Sequence, residues 1–328
     1  MNRRIIVTGG SGFIGSHVAK ALVQNGNTVV VVDDLSSGKK ENLPAGIEFH
    51  KLDIRAAELQ QLFFDFKPEV LCHLAAQMDV RKSVADPRND CDINVGGLIH
   101  LMECGRKAGL EKVIFASTGG AIYGEPQDRP SVEEDPVGAL SPYGISKYTG
   151  ENYLHYYAQQ YGIQNVILRF SNVYGPRQNS EGEAGVVAIF ITQLLQRKPV
   201  TIYGDGCQTR DFVYVGDVVD AFNRGLKEGI SGIFNISTGV ETSVKELLAQ
   251  ICPLMKLQFQ PIFATARKGE AMRSVLSFGK AQKSLNWSPE ASLTNGLLQT
   301  ISYFQGGINT TCSSSSKKAH FLGLRHSN

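Results

Sequence analysis

The chain has 328 residues, 42% hydrophobic and 20% charged, enough to bury the core of one large domain or two smaller ones. Its 33 Lys and Arg against 31 Asp and Glu leave a formal net charge of +2 with the basic residues scattered along the chain, which argues against a nucleic-acid partner. The six cysteines form no CxxC pair and have no histidine at ligand spacing, so no metal is expected and the thiols read as those of a reducing compartment.

The longest apolar runs, VVVV at 29–32 and GVVAIFI at 185–191, fall far short of the roughly 20 residues that cross a bilayer. The start, MNRRIIVTGG, has no secretory core. The expectation is a cytoplasmic protein without membrane association.

In chain order, short β-branched runs alternate with segments of helical period. IIVT precedes 12–24, TVVVVD leads into a polar loop, IEFHKLD precedes 56–65, VLCHLA precedes 91–108, KVIFAS precedes 142–160, and NVILRF closes the series. This alternation predicts an α/β fold, a doubly wound parallel sheet covered by helices, over 1–172. Beyond it, mixed elements between the Gly- and Pro-rich loops YGPRQNSEGEAG and YGDGCQTRD predict a smaller α+β C-terminal substrate domain over 173–304. The stretch at about 215–237, VGDVVDAFNRGLKEG and then GIFNIS, reads as a helix and strand that rejoin the first sheet. Residues 305–328 carry a serine run and little apolar periodicity, and a disordered tail is expected there.

TGGSGFIGSH at 8–17 follows the first strand and opens a helix. Gly9, Gly12 and Gly15 permit a tight turn, backbone approach to a pyrophosphate, and close helix packing, the Rossmann fingerprint in a GxxGxxG variant. Asp33, at the end of the second strand, is placed to bond an adenosine ribose diol and to repel a 2′-phosphate. NAD is therefore expected over NADP, although Lys39 and Lys40 in the next loop point the other way. A glycine-rich turn that binds nothing is the bland alternative. Asp53 in KLDIR either accepts from an adenine amino group or caps its own loop.

SPYGISK at 141–147 reads as a helix start, with Ser141 as N-cap and Pro142 at the first helical position. Tyr143 and Lys147, four apart, share a face. Their spacing alone occurs by chance in a chain of this composition, and Tyr143 as a plain amphipathic residue is the alternative. Position adds the weight, because the preceding strand ends in Ser117 and Thr118, and both ends meet at the carboxyl edge of a parallel sheet. A phenol with a free pKa of about 10 serves as a base near neutrality only beside cations. Lys147 and an oxidised nicotinamide would supply them, with Thr118 completing a proton relay.

These residues resemble the extended short-chain dehydrogenase/reductase family, and within it the NAD-dependent UDP-glucose 4-epimerases. The resemblance spans about 3–304 and includes HLAAQMDVRKSV, DINVGGLIHLMECGRKAG, RFSNVYGPRQ, GEAGVVAIF, YGDGCQTRDFVYVGDV and RKGEAMRS. It implies Thr118, Tyr143 and Lys147 as the catalytic group with Ser117 alongside. It implies cofactor contacts at Gly9, Gly12, Phe13, Ile14, Gly15, Asp33, Asp53, Ile54, Leu74, Ala75, Ala76 and Asn94, besides Tyr143 and Lys147. Many such epimerases carry the hydroxyl four residues before the tyrosine of the YG pair, here Gly119. Taking the GG pair as one added residue puts Thr118 in the role, with Ser117 second.

On the substrate side, Arg210 and Arg267 are candidate forks for a UDP-sugar diphosphate, Asn172 and Tyr203 are candidates for the diphosphate or sugar and for the uracil, and Ser274 lies where a small residue leaves room for an N-acetyl group. Arg177 is open between substrate binding and bracing its loop. Related dehydratases carry acidic residues after the threonine to drive elimination, whereas this chain has Gly119 and Gly120. C4 epimerisation of a UDP-hexose through a 4-keto intermediate is thus the implied reaction. A homodimer pairing the helices at 91–108 and 142–160 is the implied assembly. The alternatives are an epimerase of another nucleotide sugar such as UDP-glucuronate, and a non-catalytic NAD-binding protein of the same fold.

Overall fold

The computed structural model describes residues 2–124, 129–180, 185–266 and 271–319. In chain order, β1 (Arg4–Thr8) turns into α1 (Phe13–Gln24), followed by β2 (Thr28–Val32), β3 (Glu48–His50), α2 (Leu59–Phe66) and β4 (Val70–His73). Next come α3 (Val80–Ala85), α4 (Pro87–Cys91), a π-helical turn over Asp92–Gly96, α5 (Gly97–Ala108), β5 (Lys112–Thr118), α6 (Gly119–Ile122), α7 (Pro142–Tyr161) and β6 (Gln164–Phe170). The remainder comprises β7 (Asn172–Tyr174), α8 (Val186–Leu195), β8 (Thr201–Tyr203), β9 (Thr209–Tyr214), α9 (Val215–Gly225), β10 (Gly232–Ile236), β11 (Glu241–Ser243), α10 (Val244–Leu254), β12 (Ile262–Ala264), α11 (Gly279–Leu285) and α12 (Leu293–Ala319).

Seven strands form one parallel sheet in the order β10-β6-β5-β4-β1-β2-β3. The order reverses between β1 and β4, and a crevice opens at their carboxyl ends. Both faces are covered, which is why the strands read as unbroken apolar runs. In β2, Val29 and Val31 join Val18, Leu22 and Phe222 in the core under α1 and α9. Val30 and Val32 face the other way, into the core with Phe63, Leu101 and Leu154 under α2, α5 and α7.

Strand β10 pairs with β6, so the chain does return to the first sheet after β9 and α9. Strands β7, β9 and β11 form a second sheet, and β8 pairs with β12. Helix α12 runs through Ala319, into the stretch where the sequence suggests a disordered tail.

Two buried polar knots hold the parts that build the site. In the first, Arg169 on β6 pairs with Glu151 on α7 at 2.6 Å, both about 3% exposed. Ser117 on β5 donates to the same carboxylate at 2.5 Å, and Arg169 also donates to the Tyr123 hydroxyl, which in turn donates to Asn235 on β10. Helix α7 is thereby tied to three strands. In the second, Asp211 on β9 accepts from the Thr238 and Gly239 amides and the Thr238 hydroxyl. Its own amide donates to Ser274 O, so the 272–277 segment lies along β9.

The first knot makes a stability prediction. Arg169→Leu leaves the Glu151 charge buried without its partner and should cost about 3–5 kcal/mol in denaturant unfolding, while adding Glu151→Leu should recover most of it. Equal stability of the single and double variants would contradict this account.

Candidate active site

The turn after β1 is built for close approach. Gly9 has φ +68°, and a Cβ on it would lie 2.6 Å from the Ala75 amide nitrogen at the end of β4. A Cβ on Gly15 would lie 2.1 Å from Gly9 O, so side chains at either position would break the turn. Helix α1 starts from Gly12 with no side chain capping it, and the amides of its first turn, at Phe13, Ile14 and Gly15, have no partner within a helix. A helix start of this kind offers the free donors and the dipole end that suit an anion.

Asp33 is buried at the end of β2, with Oδ2 accepting from the Ser11 amide at 2.9 Å and Oδ1 from the Leu35 amide at 2.8 Å. Burial pushes its carboxyl up while those amides pull it down. The buried Ser11 hydroxyl has no partner. A cradle that any Cβ would fill, a carboxylate at its rim and an orphan hydroxyl inside fit a dinucleotide.

Other expected cofactor positions divide. Leu74 and Ala75 pass directly against Gly9, with Ala76 next in the chain. The Ile54 side chain is core, packed where a Cβ on Gly97 would meet it. Asp53 bonds the Arg55 amide at 2.8 Å and its guanidinium at 2.6 Å, the loop-capping geometry. Asn94 spends its amide on the backbone of Gln77 and on Asp90, which fixes the segment after β4.

The carboxyl end of β5 and the start of α7 do converge. Ser141 caps α7 by accepting from the Gly144 amide at 3.2 Å, and Pro142 follows at the first helical position. Lys147, 4% exposed, donates to Ala116 O at 2.9 Å, with its ammonium 4.8 Å from the Phe115 ring centroid. Burial pulls Lys147 down to about 8, while Asp90 and Glu151 pull upward. Burial and the Asp90 charge push the Tyr143 phenol above its ordinary range, and a hydrogen-bonding contact from the Thr118 hydroxyl opposes them. Ser117 is committed to Glu151. Of the two hydroxyls, Thr118 is the one at the phenol.

Gly119 and Gly120 play different parts. A Cβ on Gly119 would lie 2.2 Å from Leu276 Cδ1, whereas one on Gly120 would meet only Ser274 Oγ at 3.7 Å and Asn172 Oδ1 at 4.0 Å. Asn172 and Ser274 therefore wall the space beside Thr118. Tyr203 is exposed on β8. Arg210 on β9 donates to Thr209 O at 2.8 Å. Arg267 lies outside the described residues. Arg177, with φ +69°, donates to Ser16 Oγ at 3.1 Å, and Pro176 O meets His17 at 2.9 Å, so this loop braces α1.

Two residues near the pair were not expected from sequence, Glu151 and Asp90. Glu151 is one helical turn beyond Lys147, a spacing that could have flagged it. Asp90 is far off in the chain, and only its place four residues before Asn94 hints at a shared face.

A dinucleotide cradle at the switch point and a hydroxyl, tyrosine and lysine at the neighbouring strand end define an oxidoreductase-type site of the short-chain dehydrogenase/reductase class. The sequence profile of the NAD dependent epimerase/dehydratase family matches residues 5–237. A UDP-glucose 4-epimerase of Mycolicibacterium smegmatis is 45% identical over 308 residues, covering 92% of this chain and 98% of that one. The UDP-glucose 4-epimerase of Thermotoga maritima, solved with UDP-glucose, superposes with a TM-score of 0.91 at 44% identity over 93% of this chain and 99% of that one. That of Thermus thermophilus, solved with NAD, gives 0.88 at 43% over 92% and 99%. The chain belongs to the NAD dependent epimerase/dehydratase family.

The cradle geometry is testable. Gly15→Val should abolish cofactor retention, so that protein purified without added NAD yields at least about tenfold less nicotinamide on extraction than wild type. Undiminished content would remove this turn from the cofactor site.

Proposed function

We propose that the protein is a UDP-glucose 4-epimerase, interconverting UDP-glucose and UDP-galactose through a 4-keto intermediate with NAD retained throughout. The observation that carries this reading is the convergence of Thr118, Tyr143 and Lys147 at a strand end followed by two glycines. NAD, which the Gly9–Gly15 turn and Asp33 would hold, would supply the hydride acceptor and donor for C4.

The residues of the chain handle the proton. Tyr143, as phenolate, removes it from the C4 hydroxyl, and Thr118 holds the same oxygen in place. The Lys147 ammonium, pinned by Ala116 O, supplies the positive field that the buried phenol needs. Neither Gly119 nor Gly120 offers an acid to expel a neighbouring hydroxyl. The 4-keto sugar is left to turn over and be reduced on its other face, after which Tyr143 returns the proton.

Asn172 and Ser274 border the sugar, and Arg210 and Tyr203 serve the nucleotide end. Serine at 274 leaves space beside C2, so UDP-N-acetylglucosamine and UDP-N-acetylgalactosamine fall within the range. Among the described residues no helix is long and apolar enough to cross a membrane. The assembly is a cytoplasmic homodimer, and Ile145, Tyr153, Tyr156 and Tyr161, exposed on α7, are its contact surface.

NMR of products decides the reaction. With no NAD added, UDP-glucose should yield UDP-galactose; turnover of UDP-glucuronate alone would favour the other epimerase, and NADH accumulating as UDP-glucose is consumed would favour a dehydrogenase. Tyr143→Phe should lower kcat by about 10²–10⁴-fold with NAD and UDP-sugar binding intact. The pH dependence follows from Lys147: its ammonium is present below its value of about 8 and lost above it, so kcat/KM should fall as pH rises past that point. A rate still climbing at alkaline pH would contradict this role.

A further inference from the structure

Asp90 lies in α4 and is fully buried. Its Oδ2 accepts from the Ser146 hydroxyl at 2.6 Å, and its Oδ1 from Gln77 Nε2 at 2.9 Å and Asn94 Nδ2 at 3.1 Å. All three donors are neutral, and among the described residues no basic side chain forms an ion pair with it. A carboxylate taken wholly out of water without a compensating positive charge is strongly disfavoured. The compensating charge available is Lys147, the chain neighbour of Ser146, which is itself buried and has no carboxylate touching it.

We propose that Asp90 is the buried countercharge of the Lys147 ammonium and a positioning residue for the start of α7, a role that rests on reading Tyr143 as the proton acceptor. The two charges sit on different elements, and the Ser146 hydroxyl, next to Lys147 in the chain, ties α7 to Asp90. Asp90 thus offsets part of the Lys147 charge felt at the phenol.

The other charges nearby do not replace it. Glu151 on α7 is spent on Arg169. His73 on β4 is held neutral by burial and by Lys147, down to about 3, and shares a hydrogen bond with Thr8 at 2.7 Å. Arg81 and Lys82 of α3, which packs against α7, are exposed. Strand β5 contributes no charge there, only the Thr118 hydroxyl, the Ala116 carbonyl and the Phe115 ring. Asp90 is thus the one negative charge at the Tyr143–Lys147 pair, among the described residues, that is not already neutralised by a bonded cation.

The test is a 13Cζ-tyrosine NMR titration of the full chain as purified with its cofactor, with the Tyr143 resonance assigned by Tyr143→Phe. Asp90→Asn should move the Tyr143 midpoint to lower pH by about one unit or more. Ser146→Ala keeps the charge and removes one hydrogen bond, and should leave the midpoint nearly in place. In the wild-type protein the Asp90 13Cγ resonance should be that of an ionised carboxylate at neutral pH. An unmoved midpoint in Asp90→Asn, equal shifts in both variants, or a protonated Asp90 would each overturn the proposal. The wild-type carboxylate signal gives an answer even if Asp90→Asn does not fold. None of these readouts involves turnover, so their failure is distinct from failure of the epimerase reading.

Discussion

A cation held out of water is the constraint on which this site depends. Lys147 sits on the inner face of α7, where its ammonium donates to Ala116 O and lies over the Phe115 ring. Such a charge is tolerated only where hydrogen bonding, an aromatic face and carboxylates together replace its hydration. Phe115 stacks on His73 at 5.6 Å, and His73 bonds Thr8 at the end of β1. A line of contacts thus runs from the glycine turn to the lysine. The glycine turn and the Tyr143–Lys147 pair are parts of one packed unit.

The two adjacent hydroxyls at the end of β5 find separate partners along α7. Ser117 joins the Glu151–Arg169 knot, and Thr118 is left at the phenol. Just beyond, Leu276 occupies the room that a side chain at Gly119 would need, while Gly120 borders the open space. Leu276 is held there by the backbone bonds of the 272–277 segment to Asp211 and Ser131. The 272–277 segment therefore shapes the strand end as much as the sheet does.

Much of this was legible in sequence because the signals are local. The glycine spacing followed by Asp33 marks the cradle, Ser141 and Pro142 mark the start of α7, and β-branched runs such as TVVVV mark strands buried on both faces. What was not legible depends on distant partners. Asp90 meets Ser146 across 56 residues, and no spacing rule links them. Asp53 fits an adenine contact and a self-capped loop equally in sequence; the Arg55 guanidinium takes the carboxylate in the structure. The choice between Thr118 and Ser117 hinged on one residue of register, which only the partners of each hydroxyl separate.

The central claim is that Tyr143 exchanges a proton with the C4 oxygen and that nothing in the site moves a proton on carbon. NMR of UDP-galactose formed from UDP-glucose in D2O tests it most directly. The account predicts a product with protium at both C4 and C5. Deuterium at C5, or a 4-keto-6-deoxy sugar among the products, would show that elimination chemistry operates here and would contradict it.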